Sequence, residues 1–138
     1  MKTIILTLLF LAVSAMGAEH KVVFSLTTSK ENVLQEQLIK QVALLNKHYL
    51  EQGDSLKVAV VIYGGAYNFF LKSSNPTLKN QLQNLHEKYN VAFDMCGMGM
   101  KKRGITNSMI YNFVNPAFNK NVALIKWQNK GYAYIEIE

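Results

Sequence analysis

The sequence predicts an α/β fold, specifically a three-layer α/β/α Rossmann-like domain with a mainly parallel sheet of about five strands. The first observation is that apolar segments typical of strands alternate along the chain with amphipathic segments typical of helices. The second is that residues 58–62 are apolar without alternation, as expected for a strand that is buried on both faces of a sheet. Residues 19–138 are enough for one domain with one core.

The first predicted strand covers residues 20–26. Thr28 and Glu31 then have capping-box spacing, which predicts Thr28 as the N-cap and Glu31 as the third helical residue. The helix that follows carries apolar side chains at steps of four and three residues, namely Leu34, Leu38, Val42, Leu45 and Tyr49. Gly53 predicts its end. The second strand is predicted over residues 56–63.

The middle of the chain repeats this alternation. Gly64 and Gly65 end the second strand, and a short helix is predicted around residues 66–72. Asn75 and Pro76 open another helix, with Pro76 at its first position. Its apolar side chains keep to one face, at Leu78, Leu82, Leu85 and Tyr89.

The last third predicts two more helices and three strands. The third strand covers residues 91–95 and ends at Cys96, and a short helix over residues 98–103 closes at Gly104. A weaker fourth strand over residues 111–114 is interrupted at Pro116. A helix over residues 119–130 carries Val122, Ile125 and Trp127, and the last strand covers residues 132–137.

The expected topology brings several loops to one edge of the sheet. Right-handed crossovers place every strand-to-helix loop along the same edge, and ligand sites of such folds lie beyond the carboxyl ends of the strands. Four loops fall there, at residues 27–29, at Gly64 and Gly65, at Cys96, and at Asn115 and Pro116. We therefore expect the functional site at this edge.

Residues 1–18 have the pattern of a secretory signal peptide. Lys2 provides the positive start, residues 4–13 are apolar apart from Thr7, and residues 14–18 include the small side chains that signal peptidase requires. Cleavage is expected after Gly17 or Ala18, and the alternative is an uncleaved N-terminal anchor. We therefore predict a periplasmic protein whose functional domain is residues 19–138, with no membrane attachment after cleavage.

The charge of the chain is moderately basic. Fifteen Lys and Arg against nine Asp and Glu give a formal net charge of +6, of which Lys2 contributes one unit. This excess suits an anionic partner or substrate, but also plain solubility. The basic residues are scattered and no aromatic–basic repeat occurs, so nucleic-acid binding is not predicted. No cofactor is predicted either.

Cys96 is the single cysteine, in the segment Met95-Cys96-Gly97-Met98-Gly99-Met100, and Lys101-Lys102-Arg103 follows directly. A thiol at a strand end, near a helix start and beside cations, is expected to have a lowered pKa. In an oxidising compartment this thiol has no partner within the chain for a disulfide. Three interpretations stay open: a reactive thiolate, an inert buried cysteine, and a Cu(I) ligand together with the methionines.

Four stretches carry a resemblance to a known family. They are Lys21-Val22-Val23-Phe24, Tyr63-Gly64-Gly65, the segment 91–97 with Arg103-Gly104-Ile105, and the C-terminal segment 122–135, which ends in Gly-Tyr-Ala-Tyr-Ile. Together they resemble the DsrE/DsrF-like family of small sulfur-relay proteins. The resemblance implies a Rossmann-like fold, assembly as a trimer or hexamer, and a cysteine that carries persulfide sulfur between proteins.

The persulfide-carrying cysteine of that family corresponds to Cys96. The resemblance departs just after it, because the family often has Cys-Gly-Asn-Thr, whereas Met98 and Gly99 stand here in place of Asn and Thr. We expect this catalytic thiol to be lined by neighbours on the same edge, at Gly64, Gly65, Gly97, Met98 and Lys101. No metal site is predicted in the leading interpretation.

The leading hypothesis is an exported sulfur-handling homo-oligomer. It would load sulfane sulfur on Cys96 and hand it to a partner, as a carrier or a weak sulfurtransferase. The expected partners are a sulfur donor protein or a sulfur acceptor protein. The alternative is a non-catalytic module of the same fold that binds a small ligand or a protein. Copper binding through the Met and Cys cluster is a third hypothesis.

Overall fold

The computed structural model describes residues 17–138 and contains one five-stranded sheet, all of whose strand pairs are parallel. Its strands are β1 (Glu19–Leu26), β2 (Ser55–Ile62), β3 (Ala92–Cys96), β4 (Val114–Ala117) and β5 (Ala133–Ile137). They lie in the order β4-β3-β2-β1-β5. The predicted fold class is therefore confirmed, while almost all of the predicted signal peptide lies outside the described residues.

Four helices in the described part of the chain surround this sheet. Helix α1 is continuous over three segments, Glu31–Leu34, Gln35–Ile39 and Lys40–Glu51, and the middle segment is a π-helical turn. The others are α2 (Pro76–Tyr89), α3 (Gly97–Lys102) and α4 (Lys120–Asn129), and short 3₁₀ turns lie at Gly64–Phe70 and Asn107–Met109. Between residues 17 and 138, no helix is long and apolar enough to cross a membrane.

The core has two layers, one on each face of the sheet. The larger layer packs side chains of β1 and β2 against α1 and α2, and includes Phe24, Leu26, Val60, Ile62, Leu34, Leu38, Leu82 and Leu85. On the opposite face, Val23, Ala59 and Val61 pack against Ala123 of α4. The central strands are thus buried on both faces, as the apolar run over residues 58–62 predicts.

The predicted capping box at the start of α1 is wrong. The helix begins at Glu31, and the residue at its cap, Lys30, makes no side-chain capping bond. The Thr28 hydroxyl instead accepts a hydrogen bond from the Lys30 N–H at 3.1 Å, and Thr28 is only 4% exposed. Thr28 therefore closes a local turn before the helix, which is a known competitor of the capping arrangement.

The predicted fourth strand is also wrong in its position. Residues 111–113 precede the strand, and β4 is Val114–Ala117, so Pro116 lies inside it. Proline is tolerated there because β4 is an edge strand that pairs only with β3. Tyr111 is 2% exposed and lies against the ring of Phe70, with ring centroids 6.4 Å apart. An aromatic residue stands at position 111 because this position is buried, and not because it pairs in the sheet.

Two local features concern the second strand end and the N-terminus. The turn after β2 begins at Gly64, two residues before the predicted helix, and Gly64 has a φ of 61°, which favours glycine. His20 at the start of β1 pairs with Asp54 at 2.9 Å and stacks on Tyr49 at 3.9 Å between ring centroids. The start of β1 is therefore fixed to the loop before β2.

Helix α4 and strand β5 leave apolar side chains in solvent. Val122 and Ile125, which the sequence suggested as the apolar positions of this helix, are 49% and 57% exposed. Tyr134 and Ile135 on β5 are also more than two-fifths exposed. The side of the molecule that carries β5 is thus much less covered than the rest of the sheet.

Candidate functional site: a cysteine at the carboxyl edge of the sheet

Cys96 is the last residue of β3 and the N-cap position of α3. Its backbone is extended (φ −62°, ψ 109°), so the chain passes directly from strand to helix. The next residue has to be small, because a Cβ on Gly97 would lie 2.3 Å from the backbone oxygen of Ala117 in β4. Close packing of β3 and β4 therefore fixes the thiol at the carboxyl edge, where it is 8% exposed.

The pKa of the Cys96 thiol is lowered although burial opposes it. Burial is the largest single effect and raises the pKa, but hydrogen bonds from the Gly99 N–H, the Tyr67 hydroxyl, and the N–H groups of Lys120 and Met98 together outweigh it. The direction is the one expected from the sequence. One of the two expected causes applies, since the Met98 and Gly99 N–H groups belong to the first turn of α3, whereas the basic cluster after Cys96 is not among the causes of the shift.

Tyr67 is the side-chain donor of this site. It is 2% exposed, and its hydroxyl donates to the Cys96 carbonyl oxygen at 3.1 Å. Burial, together with the adjacent Cys96, raises the pKa of Tyr67 strongly, so the phenol keeps its proton. Gly99 provides the space for this hydroxyl, since a Cβ on Gly99 would lie 1.7 Å from the Tyr67 oxygen.

A cleft of about 320 Å³ opens beside Cys96. Its cations are Lys102 and Arg103 from the end of α3 and Lys120 from the start of α4. The Arg103 guanidinium lies 4.7 Å from the centroid of the Tyr67 ring. The side of the cleft near the thiol is therefore both cationic and rich in hydrogen-bond donors.

Lys120 reaches the same cleft over a second aromatic ring. Its Nζ lies 4.3 Å from the centroid of Tyr63, a residue that also lines the cleft. The Tyr63 hydroxyl is held by a 2.6 Å hydrogen bond with the Ser25 hydroxyl of β1. Asn119 caps α4 by accepting from the Val122 N–H at 2.8 Å, which fixes the turn that presents Lys120.

The residues expected to line the thiol are distributed over two neighbouring cavities. Gly64 and Met98 line the cleft that holds Cys96. Gly97 and Lys101 instead line an adjacent cavity of about 380 Å³, which Met98 also borders. Gly65 lines neither of the two, because its Cα faces the turn after β1, where a Cβ would lie 2.9 Å from the Cβ of Ser29.

Sequence reasoning missed Tyr63, Tyr67 and Lys120. Tyr63 directly follows β2 and Lys120 begins the helix after β4, so both lie at strand-to-helix connections of the edge where the site was expected. The topology could therefore have indicated these two. Tyr67 lies within a 3₁₀ turn, and no local sequence signal shows that its hydroxyl reaches the β3 end.

The methionines around Cys96 do not share one environment. Met95 is fully buried and Met100 is 3% exposed, both in the larger core layer, whereas Met98 is 47% exposed. The Met98 sulfur accepts a weak hydrogen bond from the Asn119 side chain at 3.8 Å. Within residues 17–138, no group of three or more His, Cys, Asp or Glu side chains could hold a metal ion.

Comparisons with known proteins agree with the fold. Residues 7–137 match the model of the DsrE/DsrF-like family. The structure is similar to that of a protein of unknown function, MTH1491 from Methanobacterium thermoautotrophicum, with a TM-score of 0.74, 21% identity, and coverage of 85% of this chain and 98% of that one. It is also similar to the ychN protein from E. coli, with a TM-score of 0.59, 17% identity and the same two coverages. No match was found among curated proteins.

Proposed function

The chain belongs to the DsrE/DsrF-like family, and from this premise we propose that it carries sulfane sulfur as a persulfide on Cys96 and passes it to a partner. The proposal includes export, based on the signal-like residues 1–18, and a functional domain over residues 19–138. It describes a carrier or a weak sulfurtransferase.

The observation that carries the proposal is the position of the single thiol in a cleft that Lys102, Arg103 and Lys120 also line. Three backbone N–H groups and the Tyr67 hydroxyl favour the charged form of Cys96 and lower its pKa. The thiolate is the nucleophilic form of cysteine. A persulfide on Cys96 also carries a negative terminal sulfur, which the same donors can stabilise.

The transfer step needs no further oxidant or reductant. The Cys96 thiolate forms a sulfur–sulfur bond to the sulfane sulfur of the donor, and the bond between that sulfur and the donor breaks, with its electron pair leaving on the donor. Delivery is the same exchange in reverse, as an acceptor thiolate attacks the outer sulfur and Cys96 leaves as thiolate. The low pKa of Cys96 favours this second step, because a stabilised thiolate leaves readily.

Intact mass spectrometry tests this proposal. The reduced protein is treated with inorganic polysulfide or thiosulfate, and we expect the mass of one added sulfur atom, which disappears on reduction. The Cys96→Ser variant, with the fold checked by circular dichroism, should gain nothing. A folded wild-type protein that takes up no sulfur from either reagent would contradict the proposal.

The second candidate function is a non-catalytic binding module. The observations that favour it are the 8% exposure of Cys96 and the neighbouring cavity of about 380 Å³, lined largely by apolar side chains such as Met100, Ile105 and Phe118. Such a cavity is suited to an apolar group of a small ligand or a peptide. Sulfur uptake in the mass experiment would decide against this candidate as the sole function.

A further inference from the structure

Three cationic side chains border the cleft that leads to Cys96. Lys102, Arg103 and Lys120 all line it, and none of the lining residues within the described part of the chain is acidic. Arg103 and Lys120 each lie over an aromatic ring of the same cleft, at 4.7 and 4.3 Å from the ring centroids of Tyr67 and Tyr63. These contacts hold the two cations against the cleft wall.

The remaining polar lining also suits an anion. The side chains of Asn119 and Asn121 line the same cleft, and the N–H groups of Met98, Gly99 and Lys120 lower the pKa of the Cys96 thiol. A cleft with cations on its wall and donors at its base concentrates anions. The positive charge of the cleft wall also orients an incoming anion before it reacts.

We propose that this cleft selects a small anion that carries sulfane sulfur as the donor to Cys96. This inference rests on the proposed function and adds the chemical class of the donor. The shared chemistry is a terminal or outer sulfur attached to a negatively charged group, which both thiosulfate and inorganic polysulfide possess.

The size of the entrance supports a small donor. Cys96 is 8% exposed and the cleft in front of it holds about 320 Å³. A donor has to reach this sulfur through a cleft that Met98 and Lys120 line. A free anion of a few atoms fits the cleft as it stands.

The reaction with thiosulfate balances in atoms and in charge. The Cys96 thiolate attacks the outer sulfur, the sulfur–sulfur bond of thiosulfate breaks, and its electron pair leaves with sulfite, so Cys96 becomes a persulfide anion. With polysulfide the same attack releases a polysulfide that is shorter by one sulfur. In both cases the leaving group is an anion, which the cationic wall stabilises as it forms.

The carboxylate of Glu136 opposes the positive charge of this wall. Glu136 of β5 is close enough to Lys120 for the lysine charge to act on it, although the neighbouring Glu138 has the larger, opposite effect and the pKa of Glu136 is raised. Removing the charge of Glu136 should therefore strengthen anion selection, whereas removing the charge of Lys120 should weaken it. The two changes give effects of opposite sign.

The first experiment measures charge selection without sulfur chemistry. Iodoacetate and iodoacetamide are similar in size and differ in charge, and both alkylate thiolates. The ratio of their second-order rates on Cys96, divided by the same ratio on free N-acetylcysteine amide, which has no carboxylate, reports anion preference independently of the thiol pKa. We expect this normalised ratio to be about ten for the wild-type protein and to fall as ionic strength rises.

Variants that remove a charge test whether the preference for the anionic reagent arises from the cleft. Lys102→Gln with Lys120→Gln should bring the normalised ratio close to one, and Glu136→Gln should raise it above the wild-type value. The control is Lys47→Gln with Lys88→Gln, two exposed lysines on α1 and α2 that do not line this cleft, which should leave the ratio unchanged. An equal ratio in the wild type and the cleft variant would overturn the proposal, as would an equal loss in the control. If neither reagent labels the folded protein, the cleft admits no small molecule and the proposal also fails.

The second experiment separates this inference from the proposed function. Sulfur loading on Cys96 is followed by intact mass, with sulfite release as the readout for thiosulfate and mass gain alone for polysulfide. We expect the Lys102→Gln and Lys120→Gln protein to load about tenfold more slowly with whichever anion is the donor. Unchanged loading in this variant would overturn the anion inference and leave the carrier function standing, whereas no loading in the wild type would overturn both.

Discussion

At the scale of single residues, the site depends on a glycine that leaves space for a tyrosine hydroxyl next to Cys96. Gly99 has no Cβ, and a Cβ there would lie 1.7 Å from the Tyr67 hydroxyl oxygen. The family often has a threonine at this position, whose hydroxyl would compete for the same space. Here a buried tyrosine from the turn after β2 provides the hydroxyl instead, and it reaches the Cys96 backbone and its sulfur.

The first prediction removes this hydroxyl. Tyr67→Phe should raise the pKa of Cys96, because a hydrogen bond that lowers the pKa is lost. Fewer thiolates are then present below the pKa, so alkylation by iodoacetamide near neutral pH should slow by roughly tenfold. Above the raised pKa the two proteins should react at similar rates.

The control for this prediction is Tyr111→Phe. Tyr111 is also buried, and its hydroxyl bonds to Ser74 and not to the thiol. This variant should keep the wild-type pH profile of alkylation. Equal profiles for Tyr67→Phe and the wild type would show that the backbone N–H groups alone stabilise the thiolate.

The second prediction concerns the methionines. Met98→Leu should leave sulfur loading on Cys96 within about twofold of the wild type, because leucine keeps a similar volume and a thioether takes no part in the covalent exchange. If Cu(I) binding is the function, the same variant should lose copper affinity, since soft sulfur ligands select that ion. Anaerobic competition with a chromogenic Cu(I) chelator measures this affinity.

At the scale of elements, the periodic signals predicted most of the fold. The unbroken apolar run of β2 and the spacing of Leu78, Leu82 and Leu85 on α2 reflect burial that sequence alone reveals. The start of α1 and the position of β4 could not be predicted in this way. The start of α1 depends on the local bond of Thr28, which competes with the capping arrangement. The position of β4 depends on its place at an edge that tolerates Pro116, which is a tertiary fact.

The candidate site also has a part that the sequence predicts and a part that it does not. Cys96 and its edge could be predicted, because composition singles out the cysteine and topology places the strand end. The cations were predicted from their nearness in sequence, yet Lys101 lies at the neighbouring cavity and Lys120, from a distant helix, lies in the cleft. The separation of a lysine from Cys96 along the sequence therefore does not indicate whether that lysine lines the cleft.

The third prediction tests how α4 is attached to the sheet. Asp94 of β3 is 4% exposed and accepts hydrogen bonds from Lys126 Nζ at 2.6 Å and Trp127 Nε1 at 2.9 Å, both on α4. Asp94→Ala removes both bonds and leaves the indole N–H of the half-buried Trp127 without its partner. We expect the free energy of unfolding to fall by about 2–3 kcal/mol, measured by urea denaturation.

A matched control for Asp94 is Glu87→Ala on the exposed side of α2, where the carboxylate accepts a hydrogen bond from Gln83. Its loss should change the free energy of unfolding by less than about 0.5 kcal/mol. A similarly small loss for Asp94→Ala would mean that apolar packing around Ala123 alone holds α4 on the sheet.

At the scale of the whole molecule, one side of the sheet exposes apolar side chains among residues 17–138. The edge strand β5 exposes Tyr134 and Ile135, and the neighbouring α4 exposes Val122 and Ile125. Unpaired strand edges with apolar side chains tend to associate with other chains unless they are covered. The opposite edge, β4, carries Pro116, which discourages such pairing.

The fourth prediction is that the protein assembles through the β5 side as a homo-oligomer, most simply a trimer or a hexamer of two trimers. Ile125→Glu with Ile135→Lys should dissociate it to folded monomers, because charges placed in an apolar contact must be desolvated for the subunits to associate. Met109→Lys is the matched control, since Met109 is 48% exposed but precedes β4, at the other edge of the sheet. Light scattering at micromolar concentration measures the mass of all three proteins. A wild-type protein that is only monomeric, or a control that dissociates as fully as the double variant, would exclude this assembly surface.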